Sequence, residues 1–183
     1  MNILREIRNW DGKPKELVTF LTQNIVEDET LFSQLVDLLR TGSDVEKGTC
    51  ADVMKHVTAE KPGIAVPYVD DLIGFINYKA PRVRWGVPES IGNISKKYPD
   101  EVVKEIPNLL INTKDGSTVV RWCAAYALTE IAKNNSRTRV ELVPVFKEYV
   151  EKEKNNGVRN VYVKALKVIE KSKLCQSMVS LSI

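Results

Sequence analysis

The sequence predicts an all-α superhelix, a stack of antiparallel helix pairs in which each pair buries its apolar stripe against its neighbours. Three observations predict it. Four stretches repeat one pattern, Val45-Glu46-Lys47-Gly48, Val83-Arg84-Trp85-Gly86, Val120-Arg121-Trp122-Cys123 and Val158-Arg159-Asn160-Val161, at steps of 38, 37 and 38 residues. From each marker onward apolar residues keep helical spacing; Val120, Cys123, Ala124, Ala127, Leu128, Ile131 and Ala132 fall on one stripe of an α-helix. A second signature precedes the last three markers: Val66-Pro67-Tyr68-Val69, Ile106-Pro107-Asn108-Leu109 and Val143-Pro144-Val145-Phe146.

Taken in order, Leu17, Val18, Phe20 and Leu21 predict a helix over 14–25, and residues 1–27 read as an N-terminal cap. The first repeat, 28–60, holds helices over 28–40 and 44–58, separated by Thr41-Gly42-Ser43-Asp44. The second, 61–98, opens on Lys61-Pro62-Gly63 and holds helices over 65–78 and 81–97. The third, 99–135, follows Tyr98-Pro99-Asp100, with helices over 100–113 and 117–133 on either side of Lys114-Asp115-Gly116-Ser117. The fourth, 136–172, follows Asn134-Asn135-Ser136, with helices over 138–154 and 157–172 around Asn155-Asn156-Gly157. Such Gly, Pro, Asn, Asp and Ser clusters are turn and cap chemistry. Two readings of the recurrent prolines stand: a place in the first helical turn, or a kink in a helix begun earlier, as Asp100 to Glu105 suggests for Pro107. Pro88 likewise either kinks its helix beside Trp85, freeing the Arg84 carbonyl, or marks a later helix start after an extended lead-in. The tail 173–183 shows no pattern and reads as a short cap, a remnant or a disordered end.

The chain of 183 residues is 43% apolar and 28% charged, which suits one folded domain rather than a disordered segment. It contains no apolar run of membrane-spanning length, and the charged start Met1 to Arg8 does not resemble a signal peptide, so the expectation is a cytoplasmic protein without a membrane partner. Cys50, Cys123 and Cys175 lack metal-site or disulfide spacing, and His56 is the single histidine; no metal or cofactor is expected. Cys123 reads as core. His56, aligned with Ile94, Ile131 and Ile169, reads as core or inter-repeat packing. The formal charge of +3 is uneven, −4 over residues 1–80 and +7 over 81–183. That gradient would orient a charged partner or favour head-to-tail contacts, or it is solvated charge on outer faces.

The Ile106-Pro107-Asn108-Leu109 start, Asp115 in the turn, and Val120-Arg121 through Leu128 resemble the HEAT-repeat family, over residues 28–172. The period is shorter than the usual 40–47, and the first repeat has Glu46 in place of the Arg and lacks the proline. The resemblance implies a right-handed HEAT-type solenoid whose second helices line the concave face. Residues beside the apolar stripe of those helices then become the candidate site: Trp85 with Glu89 and Trp122 with Tyr126, each pair spaced i, i+4, and Lys164 at the corresponding position. Exposed, stacked one repeat apart, the tryptophans would form a binding ladder; otherwise they fill grooves between helices. Arg84, Arg121 and Arg159 form a second ladder. Asp115 and Glu153, six residues before Arg121 and Arg159, match the family's turn acid and bracing Arg, whereas Arg84 has Tyr78 at that distance and would be free for an acidic or phosphate ligand.

No phosphate loop, zinc-hydrolase helix or serine elbow occurs in the sequence, so no catalytic residues are assigned. Trp85, Glu89, Arg121 and Trp122 are similar to the aromatic, acid and Arg set of the HEAT-like alkyl-purine DNA glycosylases, with Glu in place of Asp and Asn160 where a further aromatic would help. The expected function is a scaffold or adaptor that binds a protein or peptide segment on the concave face. The alternative is a nucleic-acid binder, such as a glycosylase relative, for which salt-sensitive DNA affinity would be diagnostic.

Overall fold

The computed structural model describes residues 1–180, with side chains through residue 172. Among the described residues the chain is helical throughout: α1 (Ile3–Asn9), α2 (Pro14–Glu27), α3 (Phe32–Thr41), α4 (Asp44–Glu60), α5 (Val69–Ile73), α6 (Pro81–Ser95), α7 (Ile106–Asn112), α8 (Thr118–Asn134), α9 (Ser136–Lys152) and α10 (Asn156–Ser180). The helices α2, α4, α6, α8 and α10 stack consecutively, and the first helices pack beside them, α3 against α1 and α4, α7 against α8, and α9 against α8 and α10. Residues 1–27, expected to hold one helix, hold two, α1 and α2. At the other end α10 continues past residue 172 to Ser180, into the segment 173–183 that shows no sequence pattern; residues 181–183 of that segment lie outside the described residues.

The first helices of repeats two and three are broken where prolines recur. Tight 3-10 turns cover Pro62–Tyr68 and Pro99–Glu105 and lead into the short α5 and α7, with Pro67 inside the first and Pro107 in the opening turn of α7. A proline supplies no amide to an α-helical ladder, so the chain winds into 3-10 geometry before α-helix can begin. The expected helix over 65–78 shrinks accordingly to Val69–Ile73. In the fourth repeat, by contrast, α9 runs unbroken through Pro144. Pro88 is likewise buried inside a helix that already begins at Pro81, which excludes the extended lead-in.

The second helices begin at Asp44, Pro81, Thr118 and Asn156, at steps of 37, 37 and 38 residues. The first marker is thus one residue out of register. Ser43 caps α4, its Oγ accepting from the Glu46 amide at 3.3 Å while Glu46 Oε2 accepts from the Ser43 amide at 2.7 Å. That capping box and an ion pair with Arg8 at 2.8 Å hold Glu46 where later repeats bury Val83, Val120 and Val158, and turn Val45 outward at 73% exposure. The Ser43 amide first, and Arg8 next, lower the Glu46 carboxyl to about 2. Val57 takes the position of Ile94, Ile131 and Ile169, and His56 is exposed in a shallow groove beside Thr19, Gln23 and Glu60. The packing role expected of His56 is corrected by this one-residue shift.

Small residues set how closely the second helices approach. A Cβ on Gly86 would overlap the Ala51 carbonyl of α4, and one on Gly92 would lie 2.7 Å from the Tyr126 ring and 3.1 Å from Ala127 Cα in α8. Cys50, Cys123, Ala124 and Ala127 fill the same seam and are buried, which confirms Cys123 as core. Its thiol and that of Cys50 are raised by burial, Cys50 to about 12, so both are inert thiols. Gly86→Ala is expected to force α4 and α6 apart at a cost of about 1–3 kcal/mol, the range for overpacking a close contact; the check is a lowered thermal midpoint, with Gly116→Ala, where an added Cβ meets no neighbouring atom, as the neutral control.

One buried group fits this core poorly. Glu105, at the entrance to α7, is fully buried, and neither carboxylate oxygen has a hydrogen-bond partner. Burial raises it to about 7, partly opposed by Lys104. A carboxyl that is easier to ionise unfolded than folded loses its stabilising contribution as pH rises through the folded value. Glu105→Gln is therefore expected to raise the thermal midpoint by roughly 2–8 °C at pH 8 and to leave it nearly unchanged at about pH 3.5, below the ordinary carboxyl value, where Glu105 is neutral in the folded and the unfolded chain alike; melting curves at the two pH values check this.

Candidate functional site

With the register corrected, the basic ladder has four rungs: Lys47, Arg84, Arg121 and Arg159. Three are used structurally. Lys47 is buried and donates to the Leu39 and Arg40 carbonyls at 2.6 and 2.7 Å, capping the C-terminal end of α3, with the Phe75 and Tyr78 rings 5.3 Å from its ammonium. Arg84 pairs with Asp115 and donates to Asn112 Oδ1 at 3.1 Å. Arg121 makes a two-pronged contact with Glu153 at 2.8 and 3.1 Å and donates to the Asp115 carbonyl at 2.9 Å. Arg84 and Arg121 thus each reach forward to an acid of the following repeat, Arg121 also holding the carbonyls of its own turn at Asp115 and Gly116. Arg84 is not the free member expected from sequence. Arg159 is exposed and bonds only Asn156, at 2.8 Å, among the described residues.

These pairs lower both acids: Arg121 is the leading cause at Glu153, and at Asp115 the Ser117 amide precedes Arg84. Their contribution is present above the ordinary carboxylate range and is lost as pH falls through the lowered folded values. Glu153→Gln is expected to destabilise at pH 7 by about 1–3 kcal/mol, as loss of a charged hydrogen-bonded partner does, and to flatten the acid limb of the stability profile. Denaturant melts between pH 3 and 7 check both.

The concave candidates separate into two groups. On α6, Trp85 is half-buried and its Nε1 is enclosed without a hydrogen-bond partner; Glu89 is half-buried and accepts from Cys123 Sγ at 3.4 Å. On α8 the Trp122 ring is 37% exposed and lies parallel to Tyr126, at 1° with centroids 5.7 Å apart. Trp122 therefore stacks on its own helix, not on Trp85. Tyr126 is tied down in turn: its hydroxyl donates to Asn93 Oδ1 at 2.7 Å, and Asn93 Nδ2 donates to the Lys55 carbonyl at 3.0 Å and to Thr58 Oγ1 at 3.3 Å, joining α8 to α6 and α4. Burial raises the Tyr126 phenol, against the Lys96 ammonium 5.4 Å from its ring.

Between α8 and α10 a groove of about 270 Å³ runs beside this pair, with Val161, Ala165 and Val168 along one wall and Lys133 and Lys164 at its edges. Val168 is 53% exposed. The groove gathers Trp122, Tyr126 and Lys164; Trp85 and Glu89 are not part of it, and Arg84 and Arg121 are held in the ion pairs at the helix starts. Of the glycosylase-like set, Arg121 is engaged with Glu153 and Glu89 with Cys123. Lys133 and Val168, which line the groove, and Asn93, which braces Tyr126, were not among the sequence candidates. Their signal was the period itself, once counted from helix starts.

Among the described residues no three His, Cys, Asp or Glu side chains gather as a metal site requires, and no helix is long and apolar enough to cross a membrane. No protein-family model and no curated protein matches the chain. Solved structures do match. An engineered protein superposes with a TM-score of 0.68 at 17% identity, over 86% of this chain and 73% of its own. A designed armadillo repeat protein in complex with the peptide (KR)4 matches with a TM-score of 0.63 at 18% identity, over 92% of this chain and 89% of its own. A computationally designed armadillo repeat protein for modular peptide recognition matches with a TM-score of 0.64 at 18% identity, over 86% and 78%. The chain has the fold of an armadillo-like helical solenoid. At these identities the likeness concerns the fold alone, and the split first helices of repeats two and three suit a three-helix repeat of that kind.

Proposed function

We propose that this solenoid is an interaction scaffold that binds a peptide or an extended segment of a partner protein on the face lined by its second helices, centred on the groove between α8 and α10. The observation that carries the proposal is the Trp122–Tyr126 stack. A large aromatic ring is left accessible there, yet its orientation is fixed by a parallel partner that is itself hydrogen-bonded across three helices. Rigid, partly exposed aromatics beside an apolar floor are what binding hot spots consist of, because little side-chain entropy remains to be lost on association. Trp85 and Glu89 would extend the surface by one rung, and Arg159 and Lys164 would supply charge at its α10 edge. The peptide named with one structural neighbour, and the peptide recognition for which another was designed, support the same reading. We read the chain as one unit of four HEAT-like repeats over 28–172 behind an N-terminal cap.

Peptides selected from a random displayed library against the wild-type protein test the proposal. The expected result is that Trp122→Ala weakens their binding about tenfold or more, as hot-spot truncation does, while its thermal midpoint stays near that of wild type. Selected peptides that bind Trp122→Ala and wild type equally would remove the groove as the site.

A further inference from the structure

Counted from the true helix starts, a third ladder emerges near the C-terminal ends of the second helices: Lys96, Lys133 and Lys171, at steps of 37 and 38 residues. Lys133 lines the groove and pairs with Glu130, itself nearly buried. Lys96 is exposed and touches the Tyr126 ring and Asn93 Oδ1, at 3.3 Å, without an acidic partner. On α10, Lys164, Lys167 and Lys171 follow i, i+3, i+7 and share a face. All three are exposed, and among the described residues none is in an ion pair. Of the acids near these lysines, Glu130 is bound to Lys133 and Glu89 to Cys123, and the exposed Glu170 sits between Lys167 and Lys171 in sequence.

We propose that the groove takes an acidic peptide carrying an apolar anchor, the anchor seated between Trp122 and Val168 and its carboxylates meeting Lys96, Lys164 and Lys171. This rests on the reading of the groove as a peptide site and adds the chemistry of the ligand. Charge complementarity carries it: uncompensated ammonium groups surround an apolar floor, the reverse of what a basic peptide such as the (KR)4 ligand of the designed neighbour requires. Spacing agrees. Stacked helices stand about 8–10 Å apart, and an extended peptide rises about 3.3 Å per residue, so a carboxylate at every third residue matches one rung of the ladder. A nucleic acid fits less well, because its evenly charged backbone would pass Glu130 within the groove, whereas a peptide can carry its apolar anchor there and its carboxylates at the lysines.

The test uses the full chain and a fluorescein-labelled decapeptide, Glu-Ser-Ser-Glu-Phe-Leu-Glu-Ser-Ser-Glu, beside the same peptide with Lys in place of every Glu and a single-stranded oligothymidylate. Anisotropy titrations should show the acidic peptide binding at least about tenfold more tightly than the basic one. The exposed double variant Lys164→Glu, Lys171→Glu should reverse that preference, and Trp122→Ala should weaken the acidic peptide at unchanged charge preference. An acidic peptide indifferent to the charge reversal overturns the inference. A basic peptide that binds more tightly and is lost in Trp122→Ala overturns the inference and leaves the groove reading standing. Absence of binding by both peptides, or preference for the oligonucleotide, overturns the two together.

Discussion

The close approach of the second helices is the constraint on which the rest of this molecule depends. At Gly86 the α6 backbone lies directly against the Ala51 carbonyl, and at Gly92 it meets Tyr126 and Ala127. Side chains any larger would widen the stack, because helix axes at the near end of the usual range leave no room for a Cβ at the crossing. Large side chains are therefore displaced to either side of the seam. On one side they form the core with the first helices, as Ile91, Ile94, Leu109 and Leu128 do. On the other they emerge on the face of the second helices, where Trp122 and Tyr126 stand.

The same stacking converts sequence period into spatial ladders. Residues 37 or 38 apart become neighbours, so a base in one repeat finds the turn acid of the next. Lys47, Arg84 and Arg121 share a rung position yet satisfy it in three ways, by helix carbonyls, by a single acid with Asn112, and by a two-pronged carboxylate. Such partly buried, hydrogen-bonded pairs fix the relative placement of successive repeats better than surface pairs do. Charge committed at the starts of α4, α6 and α8 is unavailable to a ligand, which leaves Arg159 and the unpaired lysines near the helix ends, among the described residues, as the open charges of this face.

The groove between α8 and α10 owes its character to what is missing from the fourth repeat. Where Trp85 and Trp122 stand in earlier repeats, α10 has Asn160, and where Glu89 and Tyr126 stand it has Lys164. The stacked pair on α8 thus has no aromatic neighbour to cover it from that side, and Val161, Ala165 and Val168 remain as an apolar wall. On the other side α6 packs Asn93 and Gly92 against Tyr126, closing the corresponding space. An asymmetry of a few side chains thus leaves this inter-helix groove open beside the aromatic pair.

The helical period, the turn residues and the apolar stripes were legible in the sequence, because they are local consequences of 3.6-residue periodicity and cap chemistry. Matching Val45 to Val83 misplaced the first repeat by one residue, since identity of side chain outweighed a capping box that only Ser43 and Glu46 together reveal. Prolines marked the first helices but not their division into 3-10 and α segments, which depends on how each segment packs. The sequence by itself thus determined a stack of helix pairs and the aromatic and basic residue types that it would present. Only the tertiary structure decided which of them are spent, because Arg121 finds Glu153, and Trp122 its accessible place beside Tyr126, through helix stacking that no local rule specifies.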